Sequence, residues 1–313
     1  SEALRELSFT HNYMLFTGKY DQLSVGVSYS GIIEALGMLV KRVMSWPSTK
    51  IEEWVKKLIY VLGEDVLLVL DLLPELKKLI PENMIQKAMY GRGCESRPVD
   101  IILTLLFESL SDRYILYLDD VQWADENSLS FLRVLFNYYD LRHAVVILSY
   151  RDKGQIDDLQ NSRIQKTIEG IAISQVEIHR MELHPFTMEH IYAYLADCIG
   201  ISPDGSDMWH FDRLAQFIFE QSQGNPLYCR MLVEEFYNNG IIYYTGNKWT
   251  YCRTKLAQCE LSDNIYGLMN SRMNKLPTET KSTLRVASCL GCNFPLKILC
   301  EITTMDSDRL YRI

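Results

Sequence analysis

The sequence predicts an α/β core built on a parallel sheet, followed by a largely helical region. Three observations carry that expectation. Residues 114–118 (YILYL) and 144–150 (AVVILSY) are near-continuous apolar runs, the pattern of strands buried on both faces of a parallel sheet. Residues 128–139 between them are spaced as an amphipathic helix, so the three together read as a βαβ unit. After His184-Pro185 the strand-like runs give way to helical periodicity.

Taken in order, residues 13–16 (YMLF) predict a short strand ending near Gly18. Residues 30–44 set Ile32, Ile33, Leu36, Leu39, Val40 and Val43 at helical spacing. Helices are expected over 51–62 and 64–79, the second interrupted at Pro74, which lacks the N–H that a helix interior needs. Residues 81–98 read as a loop and 99–111 as a helix, and Asp125 is placed to cap the 128–139 helix. A further strand is expected over 175–183. Helices over 188–199, 208–221 and 226–239 follow, then a hairpin with strands 241–244 and 248–251 turning at Gly246-Asn247. Three short helices, 262–276, 278–290 and 295–302, complete the chain.

Apolar residues make up 48% of the 313 and charged residues 23%, which allows a sizeable core. A net charge of -8 and a pI near 5.4 argue against a broad nucleic-acid footprint and against an anionic membrane surface. No run approaches the roughly 18 apolar residues of a membrane span. Neither nucleic acid nor membrane is therefore expected as a partner. The first residues, SEALRELSFTHN, carry charge where a signal peptide is apolar and lack an initiating Met, so the sequence reads as beginning inside a longer product. Eight cysteines are scattered along the chain, several within apolar helical patterns. That usage fits buried thiols in a reducing compartment, and the expected location is cytoplasmic.

The sharpest chemical signal is YILYLDDVQWAD, residues 114–125. An apolar strand ending in Asp119 and Asp120 sets two carboxylates at the carboxyl edge of a parallel sheet, where open α/β sheets bind ligands. One acid there can hold Mg2+ through its water shell and bridge it to phosphate, and a second can polarise an attacking water. The plainer reading is a turn followed by a helix cap.

The segment LDDVQWAD at 118–125 resembles the LDDLQWAD of STAND-type signalling ATPases, also grouped with origin-recognition-like AAA domains. Members of that family occur in sensor histidine kinases and in serine/threonine kinase–histidine kinase hybrids. Further matches are Gly18-Lys19-Tyr20-Asp21-Gln22 to GKFDQ, Ser28-Tyr29-Ser30 to PYSA, and residues 71–76 to DLIPEL. Residues 149–152 (SYRD) match AYRD, and Gly224-Asn225-Pro226-Leu227-Tyr228 matches GNPFF. The resemblance implies a P-loop NTPase-like core over 1–184, a helical lid with a small hairpin over 185–255, and a partial winged helix over 256–313. It implies ATP and Mg2+ as cofactors, with Asp119 as the metal-binding acid, Asp120 as the water-activating acid and Arg151 as a catalytic sensor of the γ-phosphate. Gly224, Asn225 and Pro226 would sit near the adenine. Attached kinase or histidine-kinase output domains, and self-association, are the partners implied. For Arg151 the alternative is an ion pair with Asp152, and for Gly224-Asn225-Pro226 a plain helix start.

The string G-x-x-x-x-G-K-[ST], whose backbone amides and Lys cradle phosphate, does not occur in these residues. Gly18-Lys19 is followed by Tyr20 and does not meet it. SEALREL at 1–7 resembles the helix that follows that loop in the family, which sets Ser1 about where the phosphate-loop hydroxyl belongs. The first strand and its loop are therefore expected to be missing here, with ATP binding and hydrolysis impaired. The reading is an ATP-binding regulatory module, and the alternative is an interaction scaffold that keeps the fold without turnover. Cys289-Leu-Gly-Cys292 lacks a second ligand pair for zinc and is expected to be buried; His184 and His190 read as ordinary. The Tyr-rich hairpin at 241–251 reads first as packing and second as an aromatic binding surface.

Overall fold

A computed structural model describes residues 2–22, 28–83, 99, 103, 107, 113–138, 143–151, 158–173, 176–201, 206–246, 248–259, 265–290 and 294–312. The chain divides into two compact units, Ser1–His179 and Arg180–Ile313.

The first unit runs α1 (Glu2–Thr10), β1 (Met14–Lys19), α2 (Ser30–Met44), α3 (Ser48–Leu62), α4 (Val66–Leu72), β2 (Tyr114–Asp119), α5 (Glu126–Tyr138), β3 (Ala144–Leu148) and α6 (Asp158–Ala172). The three strands form one sheet in the order β1-β2-β3, all parallel, with Lys19 opposite Asp119 and Leu118 opposite Leu148. Phe16, Leu116 and Leu118 from the strands meet Ile32, Leu36, Leu39 and Val43 from α2, all buried in one cluster with Phe131, Leu132 and Leu135 of α5. These α2 positions are the apolar stripe seen in the sequence, turned onto the sheet. Leu103 and Phe107, helical and one turn apart, are fully buried in the same cluster. The remainder of the helix expected over 99–111, and most of the loop expected over 81–98, lie outside the described residues. Pro74 begins a 3-10 turn, Pro74–Lys78, after α4 ends, so the break falls at the proline as its chemistry requires.

The two sheet edges differ. On β1 the side chains of α2 satisfy the outer amides: Lys19 N–H donates to Glu34 Oε2 at 2.9 Å, and Thr17 N–H points at Met38 Sδ at 3.4 Å. Covering an edge in this way prevents further strand pairing. On β3 nothing comparable is present among the described residues, and the strand is half-exposed along its length, with Val145 46% accessible. Burial on both faces, expected for residues 144–150, is therefore corrected: β2 is the buried strand, and among the described residues β3 is the half-exposed edge. The strand expected over 175–183 is corrected as well. Residues 176–187 form no ladder with the described residues, and Met181 and Leu183 are 86% and 87% exposed. An apolar run becomes a strand only where a neighbour accepts its backbone hydrogen bonds.

The second unit holds α7 (Met188–Ile199), α8 (Asp212–Ser222), α9 (Pro226–Asn238), the hairpin β4 (Ile242–Thr245) and β5 (Lys248–Tyr251), then α10 (Arg253–Ala257), α11 (Ile265–Lys275), α12 (Thr278–Leu290), α13 (Leu296–Thr303) and α14 (Ser307–Arg312). Ile191, Leu195, Leu214, Ile218, Leu232 and Phe236 centre its core. His190 closes a capping box: its N–H donates to Thr187 Oγ1 and its ring Nδ1 accepts from Thr187 N–H at 3.1 Å. Among the described residues, 265–312 contain helices and no strand. Burial expected of the cysteines is corrected: Cys229 is buried, but Cys198 and Cys289 are exposed, and Cys94 and Cys292 lie outside the described residues.

A charged network fastens α11 to α9. Glu235, only 6% exposed, accepts from Lys275 Nζ at 2.8 Å and from Asn239 Nδ2 at 3.0 Å, and Arg272 Nε lies 3.4 Å away. Burial pushes this carboxyl up, but the Lys275 and Asn239 contacts and both cations outweigh it and hold it below its ordinary value of 4.5. A carboxyl depressed by folding stabilises the fold fully above its unfolded value, and loses that contribution as pH falls through the folded one. Unfolding midpoints measured between pH 7 and pH 3 are therefore expected to drop below about pH 4.5 in the wild type and to drop less in Glu235→Gln. Equal pH slopes in the two proteins would contradict this assignment.

Candidate functional site

The carboxyl ends of β2 and β3 and the last residue of β1 meet at one edge of the sheet, because all three strands run the same way. Tyr117 and Asp119 lie two residues apart on β2 and so share a face. The Tyr117 hydroxyl donates to Asp119 Oδ1 at 2.9 Å, the Ser149 hydroxyl donates to the same oxygen, and the Asp120 N–H does so at 3.1 Å. With three donors on Oδ1, the other oxygen, Oδ2, accepts no hydrogen bond from the described residues. Burial pushes the Asp119 carboxyl up, yet the Ser149 and Tyr117 hydroxyls and the Lys19 charge more than offset it, leaving it below its ordinary 3.8. Asp119 is thus an anion at neutral pH, with one oxygen fixed and one open.

Asp120 adopts left-handed backbone angles, φ 57° and ψ 41°, at a cost of roughly 1 kcal/mol that Asp tolerates better than most residues. This turn lets the 3-10 segment Val121–Trp123 follow directly, with Val121 N–H donating to the Ser149 carbonyl at 2.9 Å. It also aims the Asp120 carboxylate back across the sheet edge. Lys19 Nζ stands 3.3 Å from Asp120 Oδ2, and Gln122 Nε2 donates to Oδ1 at 2.7 Å. Gln122 is 3% exposed, and its carbonyl oxygen accepts from the Arg151 N–H at 3.2 Å. One buried amide therefore ties the turn after β2 to the chain leaving β3. Arg151 is exposed, at the same sheet edge as the two acids.

The last acid of the motif has a different task. Asp125 caps α5 by accepting from Ser128 N–H at 3.1 Å, and it also accepts from the Tyr29 N–H, at 3.1 Å, where α2 begins. Ser128, fully buried, donates its hydroxyl to the same carboxylate. Asp125 is a structural junction between α2 and α5.

The sheet edge thus brings together Asp119, Asp120 and Arg151. Gly224, Asn225 and Pro226 belong to the other unit. There Pro226 is the first residue of α9, and Asn225 caps the helix, its side chain accepting from Tyr228 N–H at 3.1 Å. Gly224 has φ +74°, and a Cβ on it would lie 2.3 Å from the Phe186 carbonyl oxygen, so this triplet is a helix start with an obligatory glycine. Ser1 and Asp152 lie outside the described residues. Lys19, Tyr117, Gln122 and Ser149 were not singled out from sequence. Lys19 stands in a Gly-Lys pair that does not meet the phosphate-loop string, although its match to GKFDQ marks the position. Gln122 and Ser149 stood inside matched motifs. Tyr117 carried no signal beyond its alternation with Asp119.

Among the described residues no group of three or more His, Cys, Asp or Glu is arranged to hold a metal by protein ligands alone. Asp119 presents one carboxylate oxygen that accepts no hydrogen bond from the described residues. No described helix is long and apolar enough to cross a membrane.

Two curated proteins are similar over nearly the whole chain. Hybrid signal transduction histidine kinase G of Dictyostelium discoideum is 18% identical over 364 aligned positions, covering 95% of this chain and 10% of its own length. A peroxide stress-activated histidine kinase of Schizosaccharomyces pombe is 22% identical over 349 positions, covering 93% of this chain and 14% of its own. The chain is similar to a segment of signalling histidine kinases. It spans about a tenth to a seventh of the length of these relatives. No family model matches the chain, and no solved structure matches it.

Proposed function

We propose that this chain is the nucleotide-responsive regulatory module of a multidomain sensor kinase, of the STAND/AAA signalling-ATPase kind, working in the cytoplasm. The observation that carries the reading is the pairing of Asp119 with Ser149 and of Asp120 with Lys19 at the carboxyl edge of a parallel sheet, the edge at which Arg151 leaves β3. Ligands of open α/β sheets bind at that edge. In this reading Asp119 holds Mg2+ through water by its open oxygen, Asp120 orients the attacking water, and Arg151 reads the terminal phosphate by a charge-assisted hydrogen bond. Nucleotide occupancy would then bias an attached kinase or histidine-kinase output domain, and self-association.

The open edge of β3 and the unpaired run after α6 support a sheet that continues beyond these strands. These 313 residues contain no G-x-x-x-x-G-K-[ST], so in this reading they bind nucleotide weakly unless further residues of a longer product supply the phosphate cradle. Isothermal titration of Mg-ATP is expected to give a Kd weaker than about 1 mM for these residues, and micromolar binding for the full-length gene product. If the full-length protein also fails to bind, the scaffold reading replaces this one. Tight binding by the 313 residues alone would refute the requirement for a separate cradle.

A further inference from the structure

Within residues 180–313 a cleft of about 310 Å3 opens between α7, α9 and the β4–β5 hairpin. Its floor is apolar and buried, formed by Leu195, Phe211, Leu214 and Ile242. Tyr194, Tyr237 and Trp249 form aromatic walls, the Trp249 ring lying 6.0 Å from that of Tyr237. That volume is at the lower end of the range of small-molecule sites, which pair apolar walls with a few polar groups.

The polar groups of this cleft gather along α7 and α9. Tyr194 and Cys198 lie one turn apart on α7, and Arg230 and Glu234 lie one turn apart on α9, all four lining the cleft. Glu234 is already held on both oxygens, by Arg230 Nε at 3.1 Å on Oε1 and by Arg272 Nη1 at 3.0 Å on Oε2. A ligand cation would have to displace one of them. Arg230 is the reverse case. It spends only Nε on Glu234, its side chain is 71% exposed, and its two terminal nitrogens have no partner among the described residues. A guanidinium offered in that way receives a carboxylate with two parallel hydrogen bonds, while Arg272 keeps Glu234 neutralised.

We propose that this cleft binds a small aromatic carboxylate, its ring on the apolar floor between the aromatic walls and its carboxylate on the terminal nitrogens of Arg230. The site is independent of the nucleotide reading and would give the helical unit a ligand input of its own.

Three probes that share an indole ring and carry an anionic, a neutral and a cationic substituent test it by titration calorimetry on the 313-residue chain: indole-3-acetate, 3-methylindole and tryptamine. Indole-3-acetate is expected to bind at least tenfold more tightly than tryptamine. Arg230→Met should erase that preference while leaving 3-methylindole unchanged, and Val233→Trp, which fills the cleft, should abolish binding of all three. A readout on the unmutated chain guards against misfolded variants. Saturating indole-3-acetate should slow iodoacetamide labelling of Cys198, in the cleft wall, but not of Cys289 in α12, both being exposed. No detectable binding of indole-3-acetate, equal affinity for acid and amine, or unchanged Cys198 labelling at saturation would each overturn the proposal.

Discussion

Asp119→Asn in the full-length protein is expected to weaken Mg-ATP binding by about ten- to a hundredfold, with little loss when ATP is titrated without magnesium. The physical reason lies in how the carboxylate is used. Oδ1 is committed to Tyr117, Ser149 and the Asp120 amide, so the charge on Oδ2 is what remains for a hydrated cation. Asn keeps an acceptor for those donors but offers a neutral amide on the open side. Acting through the water shell, Asp119 is an outer partner of the ion, and removing such a partner typically costs about ten- to a hundredfold in metal affinity. Ser149→Ala, which frees Oδ1 of its closest hydroxyl, should accordingly fall near tenfold. Asp120→Asn should leave binding nearly intact and slow hydrolysis by roughly 10²–10⁴, the usual share of a general base. Unchanged magnesium dependence in Asp119→Asn would remove the metal-binding role from this acid.

Much of this site could be read from sequence because parallel-sheet chemistry is local. A continuous apolar run ending in two acids fixes both the strand and the edge at which its carboxylates emerge, and residues 114–120 hold that information by themselves. The partners of those acids could not be read in the same way. Lys19 and Ser149 are 100 and 30 residues from Asp119 in the numbering, and only the register Lys19 opposite Asp119 and Leu118 opposite Leu148 brings them alongside. Gln122 shows the limit differently. A polar residue in a surface-like turn gives no sign that it will be almost fully buried with both ends of its amide in use.

The strand expected at 144–150 forms but is half-exposed, and the one expected over 175–183 does not form; both outcomes follow from burial and pairing being properties of a strand's neighbours. β2 has a neighbour on each side and is buried; β3 has one and is half-exposed; residues 176–187 have none among the described residues and form no ladder. The helices suffered less because their hydrogen bonds close within the segment, so the 3.6-residue stripe of α2 was enough to place it.

Gly18→Ala is expected to cost the first unit about 3 kcal/mol or more, a large fraction of the roughly 5–15 kcal/mol by which domains are stable. Gly18 faces Gly31 across the contact between β1 and the first turn of α2. A Cβ built on Gly18 would lie 1.8 Å from the Gly31 carbonyl oxygen and 2.6 Å from its carbonyl carbon. Backbone cannot yield as a side-chain tip can, so α2 would have to lift off the sheet by more than an ångström. That lift pulls Ile32, Ala35 and Leu36, each with 0% exposure, out of their packing, and it draws Glu34 away from the Lys19 amide that it caps. Gly31 itself backs onto the ring of Tyr20, with a Cβ there only 2.9 Å from the ring, so the helix has no room to rotate instead. Gly37 supplies the control in the same helix. Nothing lies within 4 Å of its Cβ position, and Gly37→Ala should be neutral or stabilising by up to about 1 kcal/mol through helix propensity alone. Urea denaturation of the three proteins separates the cases, and a Gly18→Ala midpoint equal to wild type would mean that β1 and α2 are not in backbone contact. The glycine that imitates a phosphate loop in the sequence is thus required for packing, and by holding β1 against α2 it holds Lys19 beside Asp120.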